Sequence, residues 1–172
     1  GAITGVRTNT ADVATASVSA SALGVITITE TAGVLPVDTI VSTSDGTVTL
    51  QGEAGISQVN GTAAANVKGG TILLDAGSGG IGGSGAVLKI DTGAANTQIL
   101  EATAESHVFL QEVAGDLHVR SIRSNTGNVD LNIKAGSLID ANNAEERDER
   151  TRNELANGLW LDLELTGAAA AA

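Results

Sequence analysis

Large rings are almost missing from this 172-residue chain, in which Phe109 and Trp160 are the two aromatic side chains. A compact globule normally buries several such rings. The interior must therefore be built from Val, Ile, Leu and Ala, which suits a narrow core repeated many times. Cysteine is absent, which removes disulfides and thiolate metal sites together. Proline occurs once, at Pro36. Basic residues are scarce, 9 Lys and Arg against 20 Asp and Glu, for a formal charge of −11. That balance argues against nucleic acid, whose phosphates need clustered Lys and Arg, and against anionic membrane surfaces. Its ordinary role is solubility. No apolar run approaches the roughly 20 residues that span a bilayer. Neither a signal-peptide pattern nor a methionine is found, so the expectation is an internal or processed piece of something longer.

What the chain does have is a repeat. Residues 24–61 return at 106–143 with a shift of 82, pairing Glu30 with Glu112, Gly33 with Gly115, Leu35 with Leu117, Val37 with Val119, Ile40 with Ile122 and Ser42 with Ser124. One residue drops out near Asp45, and the match resumes at a shift of 81 with Gly46/Gly127, Val48/Val129, Leu50/Leu131 and Gly55/Gly136. The apolar and glycine skeleton recurs while the residues between vary freely, which is the signature of stacked structural units. The unit is the whole block of about 82 residues, the second copy beginning near 83–106, with 1–23 as the tail of a first pass.

Inside a block the apolar residues fall in short period-2 runs, such as Val25 to Thr29 and Thr47 to Leu50. Alternation of this kind reads as half-buried strand, and the β-branched content fits a pleated surface. Gly33, Gly46, Gly55, Gly61, Gly127 and Gly136 punctuate the runs as turns. Val67 to Asp75 reads as one further strand. Ile26, Val48, Ile72, Leu88, Val108 and Val129 recur on the scale of one solenoid coil. A β-sandwich would need large residues between its sheets. The expected fold is therefore all-β, a right-handed parallel β-helix over 1–167, its hand following from the chirality of parallel crossovers. Roughly 8 coils would make a rod about 40 Å long at the spacing of paired strands.

The second pass breaks at 144–156. Good helix formers, an Asn N-cap, early acids and later arginines predict a short charged α-helix there, with Glu146/Arg150 and Asp148/Arg152 spaced i,i+4. A strand-like pattern returns around Trp160, which could anchor that helix, cap the rod or meet a partner. Trp160, Glu146, Arg150 and Arg152 are the candidate partner contacts. The alanines at 168–172 carry no pattern.

Constellations that would carry chemistry are thin. The run GGIGGSG at 79–85 lacks the Lys-Ser/Thr of a phosphate loop and reads as a solenoid turn. Calcium-binding nonapeptide repeats would need Asp where Val87 stands. Asp75, Asp91, Asp140 and Asp162 at strand ends could offer carboxylates to calcium, the plainer reading being turn caps. His107 and His118 match Val25 and Pro36 in the first copy, and alternation with their apolar neighbours places both facing out. No Ser/His/Asp set can be assembled. Glu30 and Glu112 share a framework position, which suggests a structural role rather than the paired acids of a glycosidase or lyase. Thr27/Thr29 and Thr47/Thr49 look like the ranks of an ice-binding solenoid, but the second block carries Phe109/Gln111 and Asn128/Asp130 instead. No catalytic, cofactor or metal residues are expected.

The strings VFLQEVAGDLHV at 108–119, IRSNTGNVDL at 122–131 and AGSLID at 135–140, with GGIG at 79–82, resemble the repeats of filamentous-haemagglutinin-like large exoproteins. The resemblance covers about 20–167. It implies a segment of a very large secreted or surface-attached bacterial protein, an adhesin shaft or extracellular scaffold. Its expected partners are neighbouring repeats or like subunits, and host or surface glycans and proteins. A self-assembling filament or sheath subunit is the alternative, and a polysaccharide-active β-helix enzyme a further one.

Overall fold

The computed structural model describes residues 1–10, 15–93 and 97–142. The strands alternate between two walls as the chain winds. β1 (Ile3–Thr8) and β2 (Val18–Ala22) make the first coil, and β3 (Ile26–Glu30) and β4 (Leu35–Ser42) the second. β5 (Thr47–Gly52) leads to β6 (Ile56–Gln58) and β7 (Val67–Lys68), and β8 (Thr71–Asp75) to β9 (Leu88–Asp91). β10 (Ile99–Ala104) and β11 (Val108–Glu112), then β12 (Leu117–Ser124) and β13 (Val129–Ile133), complete about six coils, and β14 (Leu138–Asp140) follows. One wall is ordered β1-β3-β5-β8-β10-β12-β14 and the other β13-β11-β9-β7-β4-β2, with β6 beside β4. Every pairing is parallel. The described residues thus form an all-β parallel solenoid and contain no helix.

Alternation puts one residue of each pair inside, and winding stacks like on like. In the first wall Ile26, Val48, Ile72 and Leu100 sit in one rank, and Ile28, Leu50, Leu74, Ala102 and Ile122 in the next. In the second wall Leu35, Ile56, Ile81, Val108 and Val129 form a comparable rank. Most of these side chains are fully buried. Burying each larger aliphatic is worth about 1.5–3 kcal/mol. Narrow ranks of aliphatics explain how the chain does without rings.

About six coils fall within the described residues, and excursions lengthen two of them. Residues 59–66 leave the second wall between β6 and β7, and 82–87 leave it before β9. The stretch from Val67 to Asp75 is two strands rather than one: β7 and β8 belong to different walls, joined at Gly69-Gly70. A Cβ on Gly70 would collide with the Asp45 carbonyl of the coil below, so the corner demands glycine.

The repeat relates opposite walls. β3 opens the second coil in the first wall, while its counterpart β11 closes the fifth coil in the second wall. The 82-residue shift therefore advances three and a half coils, and each coil is two similar half-turns. The copies keep their geometry across this exchange. β4 and β12 share the burial pattern of three consecutive buried residues and the same register shift, at Val18/Ser19 and at Leu100/Glu101. The residue missing from the second copy is also accounted for. Asp45 takes a φ of 52° in the turn after β4, and the shorter turn after β12 lacks that left-handed position. Ser42 and Ser124 close both turns, accepting from the amides of Gly46 (2.8 Å) and Gly127 (3.0 Å).

Candidate functional site

The most unusual side chains in the wall are its two buried acids. Glu30 ends β3 and is 2% exposed; Glu112 ends β11 and is wholly buried. Both point inward because they continue the alternation of their strands. Glu30 stacks between Thr8 and Gly52. Its carboxylate accepts from Thr8 Oγ1 at 2.7 Å, Thr10 N at 2.9 Å, Thr10 Oγ1 at 3.0 Å and Ala32 N at 3.3 Å. Burial pushes its pKa up, but those hydrogen bonds outweigh burial and hold it below the ordinary 4.5.

Glu112 stands in an aliphatic rank that runs Ala20, Ile40, Val67, Ile90, Glu112, Ile133. Among the described residues, only longer bonds reach it, from Thr92 Oγ1 at 3.3 Å and from the Thr92 and Ala114 amides at 3.4 Å. Burial pushes its carboxyl up to about 7; the bonds from Ala114 and Thr92 oppose this weakly, and the Asp91 charge adds to it. Asp91 itself is held by Lys68 Nζ at 2.5 Å, an ion pair that raises the lysine's pKa. Glu30 and Glu112 lie on opposite walls, three and a half coils apart along the winding, and so do not face each other across a groove.

The aspartates considered for calcium have turn work to do. Asp75, Asp91 and Asp140 each accept the amide two residues on, from Gly77, Gly93 and Asn142 at 3.0, 2.9 and 2.8 Å. These are Asx turns. Asp162 lies outside the described residues. Among the described residues no group of three or more His, Asp or Glu side chains could hold a metal ion, and no helix is long and apolar enough to cross a membrane.

His118 is far less exposed than an outward placement implies, at 8%. The register shift at Leu100/Glu101 bends β12 just beyond it, and Ile139 pairs alongside it. It lines an open hollow of about 540 Å³ with Ile99, Ile139 and Asp140, and among the described residues its Nδ1 has no hydrogen-bond partner. His107 is half-buried. Its ring lies over Gly80, where a Cβ would strike it, and its Nε2 meets the Gly82 carbonyl at 2.9 Å. The GGIGG run is thus a solenoid corner packed under a histidine, with Phe109 tilted 54° to that ring at 5.1 Å.

The comparison of threonines across copies set residues on opposite walls against each other, since Phe109, Gln111 and Asp130 belong to the second wall. On the first wall Thr27, Thr29, Thr49 and Thr71 do share a face, but the ranks give way to Gln51, Leu73 and Asp75. A second hollow of about 350 Å³ opens there beside Thr29, Gln51 and Glu53.

A polar brace on the second wall leaves little trace in the sequence. Asn66, fully buried, donates to the carbonyls of Asp38 and Asn60, both at 3.0 Å, and accepts the Lys89 amide at 3.1 Å. Lys89 Nζ reaches the carbonyls of Gly61 and Ala63 at 2.7 and 3.2 Å, so an ammonium closes the 59–66 excursion. Asp38 accepts from Asn60 (2.8 Å) and Ser19 (2.8 Å), bonds that lower its pKa. The Asn60-Gly61 turn was the one sequence signal pointing there. Trp160, Glu146, Arg150 and Arg152, the candidate partner contacts, lie outside the described residues, as does the 144–156 helix.

Comparison with known proteins adds no relative: no family model, no curated protein and no solved structure matches this chain.

Proposed function

We propose that this chain is a structural segment, a shaft whose stacked coils supply stiffness and reach. The observation that carries the reading is the set of aliphatic ranks running through about six coils while the outward residues change from coil to coil. A surface selected for one substrate would hold its outer chemistry fixed, whereas a shaft needs only its core and turns. The polar groups with the most persistent geometry, Glu30, Asp75, Asp91 and Asp140, are engaged in turns and ladders. The framework likeness to filamentous-haemagglutinin-like exoproteins supports placing this shaft in a large bacterial surface or secreted protein. Right-handed winding belongs to the same reading, on the chirality of parallel crossovers, and so does a charged helix over 144–156 bearing contacts for a partner, on its sequence.

Incubation with a panel of bacterial and host polysaccharides, followed by product analysis, tests this function. The expected result is no chain cleavage. Turnover that vanishes on Glu30→Gln or Asp75→Asn would replace the shaft with an enzyme.

A further inference from the structure

Glu112 is out of place in its own rank. The carboxyl occupies a site between Ile90 below and Ile133 above, where every other member of the rank is aliphatic. An ionised carboxylate needs several short donors to survive burial. Here the three donors among the described residues stand at 3.3–3.4 Å. The matching site of the first copy shows what a satisfied acid looks like. Thr8 there corresponds to Ile90, and Asn9 to Asp91. Those two exchanges remove a hydroxyl donor and add a negative charge beside the acid.

We propose that Glu112 is a proton-operated latch in the solenoid wall. With its carboxyl protonated, the coil of β9, the coil of β11 and the coil of β13 are held together; on ionisation that joint loosens. A protonated carboxyl is neutral and can donate to Thr92 Oγ1, so it fits the aliphatic rank at little cost. The ionised form must draw water or donors toward itself, and the nearest backbone able to yield is the turn that follows β11. The charges around the site act in both directions. Asp91 on β9 opposes ionisation, while Lys68 on β7, hydrogen-bonded to Asp91, attracts Glu112 more weakly than it attracts Asp91. Lys134, after β13, and Asp116, beyond the turn, are exposed. The segment 94–96 is Ala-Ala-Asn and carries no titratable group. A carboxyl that titrates near pH 7 places the change within the range between mildly acidic and neutral surroundings.

Two amides bracket the joint, Val113 N bonded to the Ile90 carbonyl at 3.0 Å and Lys134 N bonded to the Glu112 carbonyl at 2.9 Å. Thr31 N, bonded to the Thr8 carbonyl at 2.9 Å, is the counterpart of Val113 in the first copy. Hydrogen exchange of the full chain, corrected for intrinsic pH dependence, should show Val113 and Lys134 losing protection roughly a hundredfold between about pH 5 and about pH 8.5. Thr31 should hold, and Glu112→Gln should abolish the loss. Parallel loss at Thr31 and Val113, or loss unchanged in Glu112→Gln, would overturn the latch. Should that variant not fold, the carboxyl ¹³C titration of wild-type Glu112 decides: a midpoint near pH 7 supports it, and one below about pH 5 refutes it.

Discussion

Glu30 and Glu112 are one position of one repeated unit, 82 residues apart, yet their surroundings shift their acidities in opposite directions. Both end a strand with the same alternation of buried and half-buried residues, and both precede a turn that reaches its glycine three positions on. The difference lies in the neighbours one coil away. Thr8 and Thr10 bring three donors to Glu30, while Ile90 and Ile133 flank Glu112 and bring none from their side chains. In a solenoid the state of a buried acid is decided by the rank it stands in, because lateral neighbours lie closer than anything but the adjacent residues of its own strand.

The largest effect is expected at a rank that holds neither acid. Ile72→Ala, in the fully buried rank between Val48 and Leu100, should cost about 2–5 kcal/mol in denaturant unfolding, and equally at every pH. A pH-dependent penalty there would mean that the titration is not localised at Glu112. Next comes Glu112→Gln. The folded pKa of about 7 lies above the ordinary 4.5, so the folded state binds more protons and stability falls as pH rises between them. Stability is complete below about 4.5 and is lost through about 7, by up to about 3 kcal/mol. The amide variant should therefore exceed wild type by about 2–3 kcal/mol near pH 8.5 and lose that advantage near pH 4.5. Glu30→Gln should show the reverse sign, since a lowered pKa contributes stability above 4.5 that disappears as pH falls through the folded value.

Converting one copy into the other sharpens the contrast further. Ile90→Thr with Asp91→Asn gives Glu112 the preceding-coil neighbours of Glu30, with Ile133 still standing where Glu30 has Gly52, and its carboxyl midpoint should fall by about one unit or more, worth about 1.4 kcal/mol, in a ¹³C titration. Thr8→Ile should raise that of Glu30. The smallest effect is expected at Arg120–Glu101, a pair at 2.9 Å whose side chains are each 36% exposed. Arg120→Ala should change stability by less than about 1 kcal/mol, and added salt should erase the difference.

Much of the fold is visible in the residues themselves. The inward set of Ile26, Ile28, Val48, Leu50, Val108 and Leu110 follows from period-2 alternation, and the turns follow from Gly33, Gly55, Gly115 and Gly136. The aspartates at strand ends cap turns as their side-chain chemistry suggests. The burial of His118 escaped, because residues remote in the chain, Ile99 and Ile139, flank it from the neighbouring strands. The Asn66 brace escaped because it joins residues from Ser19 to Lys89 that are remote in the chain.

By itself the sequence determined which residues face inward and where the chain turns, since both depend on neighbours within a few positions. Only the tertiary structure decided which wall each strand joins, because that depends on how many residues every corner and excursion consumes. A series such as Ile26, Val48, Ile72, Leu88, Val108 and Val129 looks like one column, yet it crosses from the first wall to the second after Ile72. The same winding sets Ile90 and Ile133 on either side of Glu112, and so turns a repeated framework acid into one that titrates near neutrality.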